Sequence, residues 1–167
     1  VIRAIDLSVF MDNLPLVPSI KEFSTQSASG STSQAVNIIE AIEAGADLLL
    51  MDEDTCASNF MIRDSRMHKL VHADNAPIIP YIDRVEEIAS TVSSIIVMGG
   101  SGDYFEVADQ VIAMEWFKPY LVTQKAKTIA KEFPGSRKKE TKEDFPSIKQ
   151  RCIEPRPVSY THLRAHE

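Results

Sequence analysis

The chain has 167 residues, 44% apolar and 25% charged, enough for one ordinary globular domain with a sizeable core. Its net charge of −6 leaves no basic footprint for nucleic acid or an anionic membrane. No apolar run approaches the ~18 residues of a membrane span, no signal-peptide pattern opens the chain, and Cys56 and Cys152 fit no ligand or disulfide spacing; a reduced, cytoplasmic protein is expected.

Residues 1–5 read as a strand that begins on Val1 rather than methionine, which suggests a fragment. A loop through Asn13, Pro15 and Pro18 follows, because the prolines forbid continuous helix or central strand. Residues 24–33, STQSASGSTS, are small and polar; from Gln34 the pattern turns helical, with Ala35, Ile38, Ile39 and Ile42 apolar at spacings of three and four. Gly45 ends that helix as a left-handed cap. A Ser/Gly loop that opens a helix offers an anion backbone N–H groups, hydroxyls and the positive end of the helix dipole, although a plain serine cap after a loop has the same composition.

Residues 48–51, LLLM, read as a strand buried on both faces of a parallel sheet, and Asp52, Glu53 and Asp54 follow at once. Carboxylates at the carboxyl end of such a strand stand where open α/β sheets bind ligands, and they suit a magnesium-bound phosphate. Asp52 is assigned to the metal and Glu53 to a water molecule; a strand ending in a solvated acidic turn is the alternative. Cys56 reads as a small buried residue.

Residues 59–72 continue as a helix with Phe60, Met61, Met67, Leu70 and Val71 on one side and Arg63 and Arg66 on a solvated or salt-bridged face, a contact of either with phosphate being the alternative. His68 and His72, four apart there, lack further ligands to complete a metal set. After a proline-broken loop over 73–80, residues 81–90 read as a helix with Ile82, Val85, Ile88 and Ala89 inward. Residues 94–98 read as a second buried strand. The turn Gly99, Gly100, Ser101, Gly102, Asp103 lets backbone pass close to a ligand or another chain, or simply turns sharply.

Residues 104–109 are a short helix or turn and 111–114 a third short strand. Trp116, Phe117, Pro119 and Tyr120 form an aromatic turn expected to cover the sheet edge, and 125–133 a helix. Residues 134–157 have a charged, linker-like composition, and 158–167, VSYTHLRAHE, are read as a non-native tail, which removes His162 and His166 from consideration as a metal site.

The Ser/Gly loop, its helix, the buried strand and the acidic pair together resemble the second half of the nucleotide-binding domain of ATP-binding-cassette ATPases. The blocks ASGSTSQA, LLLMDEDT with NFMIRD, and MGGSGDYF are most similar to the predicted ATPases of the ABC class, over residues 1–133. The resemblance implies a fold class of α/β, a partial P-loop NTPase sheet with flanking helices. It implies an ATPase with ATP and Mg²⁺ as cofactors that works as a homodimer through its nucleotide sites. Laid on the family, Asp52 and Glu53 fall on the Walker B pair, as metal ligand and catalytic base. Ala28-Ser29-Gly30-Ser31-Thr32 falls on the signature pentapeptide, with Ser29, Gly30, Ser31 and Gln34 contacting ATP in trans. Asn59 falls on the D-loop, and Gly99, Ser101 and Asp103 on the switch region.

This sequence departs from the family at Ser31 in place of the second signature glycine, at Asn59 in place of aspartate, and in lacking a switch histidine. It also contains no phosphate loop of the form GxxxxGK(S/T), so the phosphate-loop strand is expected on sequence outside this chain. The chain by itself is then expected to be inactive. A nucleotide-dependent dimerisation switch with negligible hydrolysis, or an inactive truncated fragment, is the alternative, and the client remains open.

Overall fold

The computed structural model describes residues 1–12, 19–71, 77–135, 139 and 145–152. The loop expectation at 13–18, half of that on 73–80, most of that on 134–157, and the tail at 158–167 lie outside the described residues, as do His72, His162, His166 and the side chain of His68.

The chain opens with an antiparallel pair, β1 (Ile2–Ile5) and β2 (Phe23–Thr25), whose register shifts between Ile2 and Ile5. Ala4 sits at the irregularity with a φ of 49°, and its N–H donates to Ser24 Oγ at 2.9 Å. β2 lies inside the stretch that reads as loop, and buried Phe23 anchors it.

Helix α1 (Gly30–Glu43) starts four residues before the apolar periodicity does, at Gly30 rather than Gln34. Its first turn is polar yet self-satisfied: Ser29 caps the helix by accepting from Thr32 N–H at 3.3 Å, and its Oγ lies 3.1 Å from Ser31 Oγ and 2.9 Å from Thr32 Oγ1. Ala35, Val36, Ile38, Ile39 and Ile42 are buried below. Gly45 follows the helix at φ +87°, as expected for its left-handed end. Gly45→Ala is expected to cost about 1 kcal/mol through backbone strain, since a Cβ there would meet only the Gln150 side chain at 3.5 Å. The denaturant midpoint measures that loss.

Strand β3 (Leu48–Asp52) pairs in parallel with β4 (Ser93–Val97), Leu50 opposite Ile95 and Asp52 opposite Val97. The crossover runs through α2 (Ser58–Met61), α3 (Ser65–Leu70), a 3₁₀ turn (Tyr81–Asp83) and α4 (Val85–Ile88). Burial of both strands on both faces does not hold. Leu49 is buried, but Leu50 is 71% exposed, Ile95 55% and Val97 64%, because the pair lies against the core on one side only.

The helix expected over 59–72 is two helices. Ile62 is extended at φ −154°, and Asp64 caps α3 by accepting from Arg66 N–H at 2.7 Å, a local bond that competes with continuous helix. That N–H also holds the Asp64 carboxyl below its usual pKa. Arg66 is solvated and paired with Asp64, whereas Arg63 reaches back to Ile78 O at 3.4 Å. The helix expected over 81–90 is likewise shorter. Ile82 and Ile88 face the core as expected, but Ala89 is exposed.

After the glycine-rich turn come α5 (Tyr104–Val107), the hairpin β5 (Ile112–Glu115) and β6 (Lys118–Leu121), and α6 (Thr123–Glu132). The hairpin turns on Trp116 and Phe117, both left-handed at φ 50° and 64°, the turn geometry that matches strand twist. Held in that turn, the two rings point away, 92% and 96% exposed, so they do not cover a sheet edge.

The core gathers around the segment after β1: Leu7, Phe10, Ile39, Phe60, Met61, Tyr81 and Ile88. Phe10 meets Phe60 edge-on at 5.0 Å and Tyr81 at 6.1 Å. Arg84 is buried among them, its Nε donating to Val9 O at 3.0 Å and its guanidinium 5.8 Å from the Phe145 ring centre. Cys56 is partly buried against this core, and Cys152 is exposed. Among the described residues no helix is long and apolar enough to cross a membrane.

Candidate nucleotide site

Two clusters collect the residues singled out by the sequence. The first is at the start of α1. Ser29 and Gly30 are exposed at its N-terminus, while Ser31 is buried in the first turn. A hollow of about 540 Å³ opens beside them, lined by Ser29, Ser31, Asn59 and Arg63 over an apolar floor that includes Phe23 and Ile78. Asn59 is thus brought to the Ser/Gly loop although it lies 28 positions after Ser31 in the chain. Arg63 shares the hollow, whereas Arg66, the other arginine of that stretch, does not line it. Among the described residues no acidic side chain lines it.

Gln34, one turn into α1, is engaged elsewhere. Its Oε1 accepts from Ala57 N–H at 2.8 Å, and its Nε2 donates to Met61 Sδ at 3.5 Å. The side chain therefore ties α1 to the start and end of α2 and holds the hollow's two walls together. No periodicity or motif signals this contact, since it spans 23 residues through one amide.

The second cluster lies where β3 and β4 end. Parallel in-register pairing sends the acidic turn and the glycine turn out at the same edge. Asp52 caps the 3₁₀ turn Glu53–Thr55 by accepting from Asp54 N–H at 3.3 Å and is otherwise exposed. Glu53 points across to the glycine turn, where its Oε2 accepts from Gly100 N–H at 3.3 Å. A Cβ at Gly100 would make only an ordinary contact, 3.9 Å from Glu53 Oε1, and one at Gly99 would meet nothing within 4 Å. Ser101 Oγ is buried and has no hydrogen-bond partner among the described residues. Asp103 begins α5 and packs toward Gly135, where a Cβ would stand 2.8 Å from Asp103 Oδ1. Below the turn Tyr104 is 2% exposed and donates from its hydroxyl to Met61 O at 2.8 Å, which fixes α5 to α2.

No hydrogen bond given for the described residues joins the first cluster directly to the second. They are linked through α2, by Gln34 on one side and Tyr104 on the other. Among the described residues no three His, Cys, Asp or Glu side chains gather as a metal site. A hard divalent ion takes one or two carboxylates and completes its shell with water and phosphate oxygens, and the exposed Asp52 carboxylate is of the kind it takes.

An α/β arrangement with carboxylates and a glycine turn at the ends of parallel strands is that of a nucleotide-binding domain. The chain matches the ABC_ATPase family model, a P-loop domain, over residues 1–151 and belongs to that family. No curated protein sequence matches it. Nucleotide binding and ATPase-type chemistry are therefore the domain's class of activity.

Proposed function

We propose that this domain, within its full-length protein, hydrolyses Mg²⁺-ATP at the interface of a homodimer. The observation that carries the reading is the placement of Glu53: a carboxylate just past the carboxyl end of β3, oriented by Gly100 N–H of the turn that follows β4. Asp52 holds the ion, which when bound neutralises phosphate charge. Glu53 takes up hydrogen bonds from the attacking water and orients it, as phosphoryl transfer to water requires. Ser29, Gly30 and Ser31 offer hydroxyls and helix N–H groups to the γ-phosphate bound by the second copy, with Asn59 and Arg63 beside them. Gln34 serves that surface by holding α1 on α2.

The phosphate loop lies, in this reading, on a strand outside these 167 residues. The uncovered face of β3 and β4 supports it: Leu50, Ile95 and Val97 form an apolar surface, and the β5–β6 hairpin pairs with no other strand among the described residues. The test compares the 167-residue chain with the full-length protein. The full-length protein is expected to bind Mg²⁺-ATP, dimerise with it in light scattering and turn it over. The 167-residue chain is expected to bind no ATP at micromolar concentration. A cooperative melt together with micromolar ATP binding by the short chain would overturn the missing-strand reading. ATP-driven dimerisation without turnover would favour a nucleotide switch instead, a reading motivated by Asn59 and the absent switch histidine.

A further inference from the structure

We infer that Arg151 is a positioning residue for the nucleotide site: it fixes the far end of α1 and so sets where Ser29, Gly30 and Ser31 stand for the second copy. This rests on the ATPase reading above. Residues 134–157 have the composition of a linker, yet 145–151 are held against the domain. Phe145 and Ile148 pack on the core, the Phe145 ring centre 5.8 Å from the Arg84 guanidinium, and Gln150 lies beside Gly45. Three residues after Ile148, Arg151 reaches the end of α1. Its N–H donates to Glu43 O at 2.7 Å and its Nε to Glu43 Oε2 at 2.6 Å.

The end of α1 needs this partner for two reasons. A helix leaves the carbonyls of its final turn without intrahelical donors. Those of Ala41 and Ile42 are met locally, by Ala46 N–H and Gly45 N–H at 3.0 Å each, after which the chain departs through left-handed Gly45. The Glu43 carbonyl takes its donor from 108 residues further on. The second reason is charge. The last turn of α1 carries Glu40 and Glu43 and no basic residue, so carboxylates stand at the negative end of the helix dipole. Arg151 brings a cation to that end. The Glu43 side chain is 15% exposed and that of Arg151 52%, so water screens the pair only in part.

What holds this end bears on the other. α1 runs 14 residues, about 21 Å of stiff helix. Burial of Ala35, Ile38, Ile39 and Ile42 keeps it on the core, but apolar contact has no direction and does not by itself set the placement along the axis. Directional bonds do. Gln34 fixes the near end to Ala57 N–H, and Arg151 fixes the far end to the segment over Arg84. The first turn is hydrogen-bonded within itself and borders the hollow, so its placement follows from those two attachments. A misplacement of about 1 Å at reacting groups costs on the order of 10²-fold in rate, which lets a distant cation govern turnover without touching nucleotide.

The test uses the full-length protein with Arg151→Glu, which sets a carboxylate against Glu43, and the double variant Arg151→Glu with Glu43→Arg, which reverses the pair. In Arg151→Glu, the protein concentration at which Mg²⁺-ATP drives dimerisation in light scattering is expected to rise about tenfold, and kcat to fall by about as much. Mg²⁺-ATP affinity below that concentration is expected to stay within about threefold, because α1 serves the other copy's nucleotide. Without nucleotide, the Ala57 amide is expected to exchange about tenfold faster as Gln34 shifts off it, a change that loss of the helix cap alone would not produce so far from Glu43. The double variant is expected to bring each quantity back to within about threefold of wild type.

Wild-type dimerisation and Ala57 exchange in Arg151→Glu would overturn the role of Arg151 and leave the ATPase reading standing. Equal losses in the single and double variants, with ATP affinity falling in step, would assign residues 145–151 to folding alone and overturn it too. Wild-type protein without ATP-driven dimerisation would overturn the reading in trans, and the role of Arg151 in turnover with it.

Discussion

Glu53→Gln in the full-length protein is expected to lower ATP turnover by about 10³-fold, some 4 kcal/mol of transition-state stabilisation, while Mg²⁺-ATP affinity stays within a few-fold. The substitution is conservative for structure. Glutamine keeps a carbonyl oxygen where Glu53 Oε2 accepts from Gly100 N–H at 3.3 Å, so the two turns remain joined. What it removes is negative charge and the capacity to take a proton from water. A side chain used only to fasten the glycine turn would tolerate the exchange, and the distinction lies in kcat measured against binding. Full residual turnover would falsify the assignment of Glu53 as the base. Loss of binding in parallel with turnover would mean that the carboxylate holds the nucleotide complex rather than acting in the step.

The arrangement behind that prediction was only partly legible in the sequence. Residues 48–51 and 94–98 announce themselves as strands by apolar runs, and the acidic and glycine turns follow them directly. What joins the turns is the parallel register of β3 and β4, Asp52 opposite Val97, and no local pattern encodes a pairing across that distance. The same runs suggested burial on both faces, and apolarity cannot tell a covered face from an uncovered one, as Leu50 and Ile95 show.

Other differences have local causes. The start of α1 was hidden because Ser29, Ser31 and Thr32 satisfy one another's hydroxyls, a packing solution invisible to a count of apolar residues. β2 was hidden by its polar composition and by its dependence on a partner strand 20 residues earlier in the chain. The break between α2 and α3 comes from the Asp64 cap, which outcompetes a periodicity that runs through it. Nothing in the local pattern marks Arg84, yet it is 1% exposed and bonds to Val9 O across 75 residues. On the candidate site, the residue types were legible and their grouping was not. Asn59 and Arg63 join the Ser/Gly loop only after the chain has folded, and Gln34 turns out to brace that surface from behind.

Phe60→Ala is expected to cost about 3–5 kcal/mol of stability, a large share of the roughly 5–15 kcal/mol that holds a domain folded. Phe60 is fully buried, edge-on to Phe10 at 5.0 Å and 6.2 Å from Tyr81, so its loss leaves a cavity between two further aromatic rings. The consequence extends to the site, because α2 is four residues long and a helix of one turn has no stability of its own. It stays in place through Phe60 and Met61 below and through Gln34 bonding Ala57 from the side. Asn59 precedes Phe60, and Ala57 follows the turn that carries Glu53; loosening α2 therefore loosens both clusters together. Phe60→Leu refills most of the volume and is expected to lose less than half as much. Denaturant midpoints of the full-length protein and the two variants give the difference. If Phe60→Ala lost less than about 1 kcal/mol, below the range for a buried aromatic truncation, the Gln34 bonds and not the aromatic cluster would be what fixes α2. If the full loss appears with Gln34 intact, the coupling between the clusters runs through the core.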